Sequence, residues 1–188
     1  SSFTQHATVW SGTDYATKTD LGTLKSDNSG QSMANALSSD GSYAAGWAHN
    51  DNANVRATIW SGTGYATKTD LGTLKNDNSG QSQASALTSN GGIAAGWAQS
   101  DSEHQRATVW SGNNYAIKTD LGTLKSNNSG SSDINALSGD GLVAAGWAET
   151  DSKRTHAAVW RLHYLATLPV TPTPVTPTPV TPTPVTPT

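Results

Sequence analysis

Residues 18–25 read Lys-Thr-Asp-Leu-Gly-Thr-Leu-Lys, and the same eight residues return without a substitution at 68–75 and 118–125. Outward from this block, Ala-x-(Val/Ile)-Trp precedes it and recurs every 50 residues, closing on Trp10, Trp60, Trp110 and Trp160. Ala-Ala-Gly-Trp-Ala follows it and carries Trp47, Trp97 and Trp147. The spacing does not slip by a residue over three copies. Self-similarity at a fixed period marks one structural unit stacked on itself, each copy burying its neighbour's face. The seven tryptophans are therefore expected to form the repeat core.

Each copy divides into four short strands. The first runs from His6 to Ser11, alternating Ala7 and Val9 against Thr8 and Trp10, and turns at Ser11-Gly12. The second is expected from Tyr15 to Gly22, with Lys18 and Asp20 two apart and so on one face. The third covers Ser32 to Ser38 and ends at the turn Ser39-Asp40-Gly41. The fourth runs from Ser42 to His49, and a polar loop leads into Arg56 and the next cycle. Helical periodicity is not sustained over a window long enough for a helix. The chain thus reads as all-β: tandem 50-residue, four-stranded antiparallel repeats resembling β-propeller blades, with a stacked β-solenoid of hairpins as the alternative.

The repeats do not come to a whole number. His156 to Leu168 restarts the unit, but Arg161-Leu162-His163-Tyr164-Leu165-Ala166-Thr167-Leu168 replaces the usual second strand. Residues 1–168 therefore form a β-repeat domain of three and a half units. All eight prolines lie beyond it, in Pro-Val-Thr-Pro-Thr units over 169–188. Such a segment cannot build a ladder or a core and is expected to be an extended polyproline-II-like spacer. Its threonines Thr171, Thr173, Thr176, Thr178, Thr181, Thr183, Thr186 and Thr188 are candidate O-glycosylation sites.

Composition narrows the function classes. The 188 residues carry a net charge of −3, and 13% of them are charged, with no basic patch. Nucleic acid is not an expected partner. Cysteine is absent, so no disulfide framework or thiolate metal site can form. The Ser/Thr/Asn-rich, cysteine-free character fits a bacterial secreted or cell-surface protein. Ser1 to Val9 lacks the basic region and apolar run of a signal peptide, and no apolar stretch approaches the length of a membrane span.

Candidate chemistry is sparse. His6 and His156 share a repeat position that Arg56 and Arg106 fill in the middle copies. A ligand or general base would not alternate with arginine, so a surface position at a strand start is expected. Asp20, Asp70 and Asp120 each follow a lysine by two residues (Lys18, Lys68, Lys118), which suggests a local ion pair or a turn hydrogen bond. Asp40 and Asp140 precede turn glycines where the middle copy has Asn90, the interchange expected of a turn-capping side chain. Asp27 and Asp77 become Asn127 in the third copy, so a plain turn is favoured over a calcium loop. No catalytic residue, metal site or cofactor is expected. The residues that vary after the second tryptophan, His49 and Asp51, Gln99 and Asp101, Glu149 and Asp151, are the expected binding loops if the scaffold presents a ligand.

The order Ala-x-Val-Trp, Asp-Leu-Gly-Thr-Leu, Ser-x-Ala-x-Ala-Leu-Ser-x-Asp-Gly and Gly-Trp-Ala, over residues 6–160, resembles the HAF-type extracellular repeat of bacterial secreted proteins and autotransporter passenger regions. The resemblance implies a surface-exposed, propeller-like module without catalysis. Together these readings predict a non-enzymatic extracellular structural protein. It would self-associate through unpaired terminal hairpins into a homo-oligomer, polymer or filament. The alternative is a cell-surface adhesin or carbohydrate-binding module that engages surface glycans from a Pro/Thr stalk.

Overall fold

The computed structural model describes residues 5–162, so the spacer, its threonines and His163 lie outside the described residues. Thirteen strands among these residues form four antiparallel sheets that do not close into a barrel. The first sheet pairs β1 (Thr8–Ser11) with β2 (Thr17–Asp20). The second is a meander of β3 (Ser32–Leu37), β4 (Ala44–His49), β5 (Val55–Ser61) and β6 (Thr67–Asp70). The third repeats it with β7 (Ser82–Leu87), β8 (Ala94–Gln99), β9 (Gln105–Ser111) and β10 (Ile117–Asp120). The fourth has β11 (Ser132–Leu137), β12 (Val143–Glu149) and β13 (Thr155–Arg161).

The expected strands are present with shorter bounds: the first starts at Thr8, the second ends at Asp20, the third ends at Leu37 and the fourth starts at Ala44. Tyr15 belongs to a 3₁₀ turn, Thr13–Tyr15, so the second strand begins at Thr17. The third-to-fourth strand turn is built as the Asp-Gly signal requires. Asp40 Oδ1 accepts from Ser38 Oγ (2.6 Å) and from the Ser42 amide (3.0 Å), while Gly41 takes φ +69°. An L-residue with a Cβ pays a steric cost in that conformation.

A β-bulge falls between Ala34 and Ala36, and again between Ala84 and Ala86 and between Ile134 and Ala136. It drives the bulged strand's backbone into its neighbour. A Cβ on Gly46 would lie 1.9 Å from the Met33 carbonyl oxygen, which is why Ala-Ala-Gly-Trp needs its glycine. The extra residue is used: Asn35 Nδ2 donates to Ala84 O at 2.8 Å, tying the second sheet to the third.

Consecutive sheets stack face to face. β7 packs against β3, β4 and β5, and β11 against β7, β8 and β9. Ser39 N donates to Ser89 O (2.8 Å) and Ser89 N to Gly139 O (2.9 Å), so equivalent turns 50 residues apart are hydrogen-bonded. The core lies between sheets. Trp60 packs with Ala7 and Leu21 of the first sheet's chain segment, and Trp110 with Ala45, Ala57, Ile59 and Leu71 of the second. Alanines at 0% exposure let the sheets approach closely enough for one indole to fill each gap.

Candidate functional site

The first sequence motif to resolve is the Arg/His position. Arg56 and Arg106 are 2% and 4% exposed, which overturns the expected surface role. Arg56 Nε meets Asp70 Oδ1 at 3.1 Å, and Arg56 Nη1 donates to Asn78 O at 2.7 Å. Arg106 repeats this with Asp120 and Asn128 O. The carboxylate and the carbonyl offset part of the guanidinium's desolvation cost, while Arg56 Nη2 is buried with no hydrogen-bond partner among the described residues. In the first copy His6 Nδ1 lies 2.8 Å from Asp20 Oδ2, so the smaller ring makes the same link. His156, in the last copy, is exposed.

The aspartates of the eight-residue block are therefore not paired with the lysines two residues before them. Each closes its own turn, Asp70 Oδ1 accepting from Gly72 N at 2.8 Å as expected, and turns its charge to the Arg or His across the strand. For Asp20, burial acts upward but is outweighed by His6 and the Gly22 amide, leaving its carboxyl below the ordinary value. The lysines reach backward instead. Lys68 Nζ donates to Thr23 O (2.9 Å) and Asn28 Oδ1 (3.1 Å), and Lys118 Nζ to Thr73 O (2.9 Å) and Asn78 Oδ1 (3.1 Å). This lysine is a clamp between repeats.

The variable loop residues are occupied by structural work. Asp51, Asp101 and Asp151 accept from the amides of Ser26, Asn76 and Ser126 at 2.8–3.0 Å. His49 Nδ1, Gln99 Oε1 and Glu149 Oε2 accept from the amides of Gln31, Gln81 and Ser131 at 3.1–3.2 Å. Glu149 also takes Lys125 Nζ at 2.7 Å, and that hydrogen bond holds its carboxyl below the usual range. Three different side chains thus serve one loop-bracing function. Asp27, Asp77 and Asn127 accept from the amide two residues on, as plain turns do. Among the described residues no group of three or more His, Asp or Glu side chains is placed to hold a metal. A further contact with no counterpart among the sequence expectations recurs in each copy: Ser32, Ser82 and Ser132, all buried, accept through Oγ from the amides of Ala7, Ala57 and Ala107. Their strict recurrence at each third-strand start was the available signal.

The tryptophans divide by position in the stack. Trp60 and Trp110 are fully buried, while Trp10 is 56% exposed and Trp160 half-buried. Trp47, Trp97 and Trp147 are half-buried. Trp10 therefore departs from the expected core. Lys18 Nζ lies over its ring, 4.7 Å from the centroid, in place of the clamp that Lys68 and Lys118 make. Among the described residues β1 is paired on one edge, by β2, and a slot of about 400 Å³ opens beside Trp10, walled by Thr8, Ala34, Asn35 and Leu37. At the opposite end Val159 is 68% exposed where Ile59 and Val109 are buried. Among the described residues the two ends are thus the places where the repeat's own contacts go unmet.

No protein-family model matches the chain, and comparison with curated proteins gives no match.

Proposed function

We propose that this chain is a non-enzymatic structural protein of the HAF-type extracellular repeat kind, secreted or displayed on a bacterial surface. Its blade-like repeats self-associate through incomplete end sheets into a larger assembly, with the Pro/Thr segment as spacer. The observation that carries this reading is the strand count. Complete sheets have four strands, whereas among the described residues the first has two and the last three. Open sheet edges carry unpaired backbone groups that recruit further strands, and a heterologous end-to-end contact propagates to a ring or filament. The adhesin alternative looks to the loops around Asp51, Asp101 and Asp151, whose carboxylates already brace neighbouring loops. Assembly is therefore the better-supported reading.

Light scattering across a wide concentration range, with electron microscopy of the same fractions, tests it. Mass should rise with concentration and regular rings or filaments should appear. A constant monomer mass at the highest concentration overturns it.

A further inference from the structure

The two incomplete ends are complementary halves of one sheet. A complete sheet consists of an inner hairpin, β3–β4 or β7–β8, and an outer hairpin, β5–β6 or β9–β10. Among the described residues the first sheet is an outer hairpin alone, with its inner edge open onto the slot. The last has, among the described residues, an inner hairpin, β11–β12, and one outer strand, β13.

β13 pairs with β12 over seven residues, yet among the described residues no second outer strand stands beside it. In complete sheets the outer hairpin brings three anchors. Tyr65 and Tyr115 donate through Oη to Gly41 O and Gly91 O, Lys68 and Lys118 clamp the preceding loop, and Asp70 and Asp120 hold the buried arginine. Fifty residues on, these positions are Leu165, Leu168 and Val170, none able to make the bond. The other components of the site remain: Gly141 at the turn, and Thr123 and Asn128 in the loop, Asn128 Oδ1 accepting from Thr123 N at 2.8 Å as Asn28 and Asn78 do in theirs. The side chains that fit them are present elsewhere in the chain. Tyr15, Lys18 and Asp20 stand on or beside β2; Tyr15 is 69% exposed, and Lys18 lies only on Trp10.

Building on the self-association reading, we infer that the β1–β2 hairpin of one copy displaces β13 of another and completes the β11–β12 sheet, forming a shared four-stranded sheet. In it Tyr15 donates to Gly141 O, Lys18 to Thr123 O and Asn128 Oδ1, and Trp10 takes the place of half-buried Trp160. The slot beside β1 is filled by the partner's inner hairpin in the same step. The contacts are those of β4–β5 and β8–β9, where Trp60 and Trp110 are fully buried. β13 serves as a placeholder that protects the edge of β12 until a second copy arrives.

The absence of cysteine makes a direct test available. In complete sheets His49 lies opposite Val55 and Gln99 opposite Gln105, and in the last sheet Glu149 lies opposite Thr155. The residue of the N-terminal hairpin equivalent to Thr155 is Gln5. A full chain carrying Gln5→Cys and Glu149→Cys should form disulfide-linked dimers and a ladder above them on oxidation. Mixing it with a larger tagged copy should give mixed species. A Thr155→Cys/Glu149→Cys chain, oxidised before concentration, locks β13 in place and should stay monomeric until reduced. Adding Lys18→Ala should lower the yield of the Gln5/Glu149 crosslink several-fold while shifting the monomer's melting temperature little, since Lys18 there is exposed and lies over the Trp10 ring. Assembly of the parent with no Gln5–Glu149 crosslink, or assembly of the locked chain, overturns the exchange and leaves self-association standing. A crosslink within single chains overturns it in favour of self-closure. A parent that stays monomeric overturns both readings.

Discussion

Gly96 has an ordinary strand conformation, yet a Cβ there would lie 2.1 Å from the Gln83 carbonyl oxygen and 3.0 Å from the Ala84 Cα. Both obstacles are backbone, so relief requires the bulge itself to move. Gly96→Ala should destabilise the chain by about 3 kcal/mol or more, at the upper end for overpacking a close contact. Urea denaturation followed by Trp fluorescence measures this; a loss below about 0.5 kcal/mol, the size of a neutral surface change, would show that the bulge is plastic. Asp133 tests a different cost. It replaces Met33 and Gln83, its Oδ1 is buried without a partner, and Gln105 Nε2 donates to its other oxygen at 3.0 Å. Burial pushes its carboxyl up to about 6, against the pull of the Ile134 amide and Gln105. The folded state then binds more protons than the unfolded chain between the ordinary value of 3.8 and about 6. Stability from this group is highest below that window and falls as pH rises through it. Asp133→Gln, which copies the middle repeat, should raise the melting temperature at pH 7 and leave it nearly unchanged at pH 4. An equal shift at both values would refute the titration argument.

At the scale of elements, the buried arginine joins β9 to the loop after β10 through Asp120 and the Asn128 carbonyl. Arg106→Met keeps the stem but strands both acceptors. With Asp120 about one-third exposed, water softens the loss, and we expect about 2–3 kcal/mol, below the range for a fully buried pair. Arg106→His should lose less, because His6 already reaches Asp20 in the first copy. Thermal melts that rank His below Met would refute this role. The same elements show which features could be read from sequence. Strand positions and the Asp-Gly turn were legible because alternation and positive-φ glycine are local signals. The burial of Arg56 and Arg106 was not, because exchange with histidine looks like surface tolerance until the carboxylate 14 residues away is placed against it. The lysine clamp spans 45 residues between sheets, so the local Lys-x-Asp spacing pointed to the wrong partner. The late start of the second strand, at Thr17, reflects Tyr15 at φ +55°, which no alternation pattern reveals. The occupied state of the loops was hidden for the reverse reason: His49, Gln99 and Glu149 differ in chemistry yet accept the same amide.

For the whole molecule, stability should follow position in the stack. The third sheet packs against both the second and the fourth, whereas among the described residues no sheet lies beyond the first or the fourth. β8 and β9 are buried and paired on both edges, β1 has one short partner, and β13 lies at an edge with Val159 exposed. Local opening free energies range from near zero at frayed ends up to the global value in the core. Native-state hydrogen exchange on dilute chain should therefore show β1, β2 and β13 exchanging first and β8–β9 last. If hairpin exchange drives assembly, concentration acts on the two ends in opposite directions. Amides of β1 and β2 should become as protected as those of β5, because they gain an inner hairpin, while β13, released from β12, should lose what protection it had. Simple end-to-end stacking of intact sheets would protect both ends together. Protection that rises in β1 and β2 while β13 stays as slow as β12 would exclude displacement. An exchange pattern independent of concentration would show that the ends never meet.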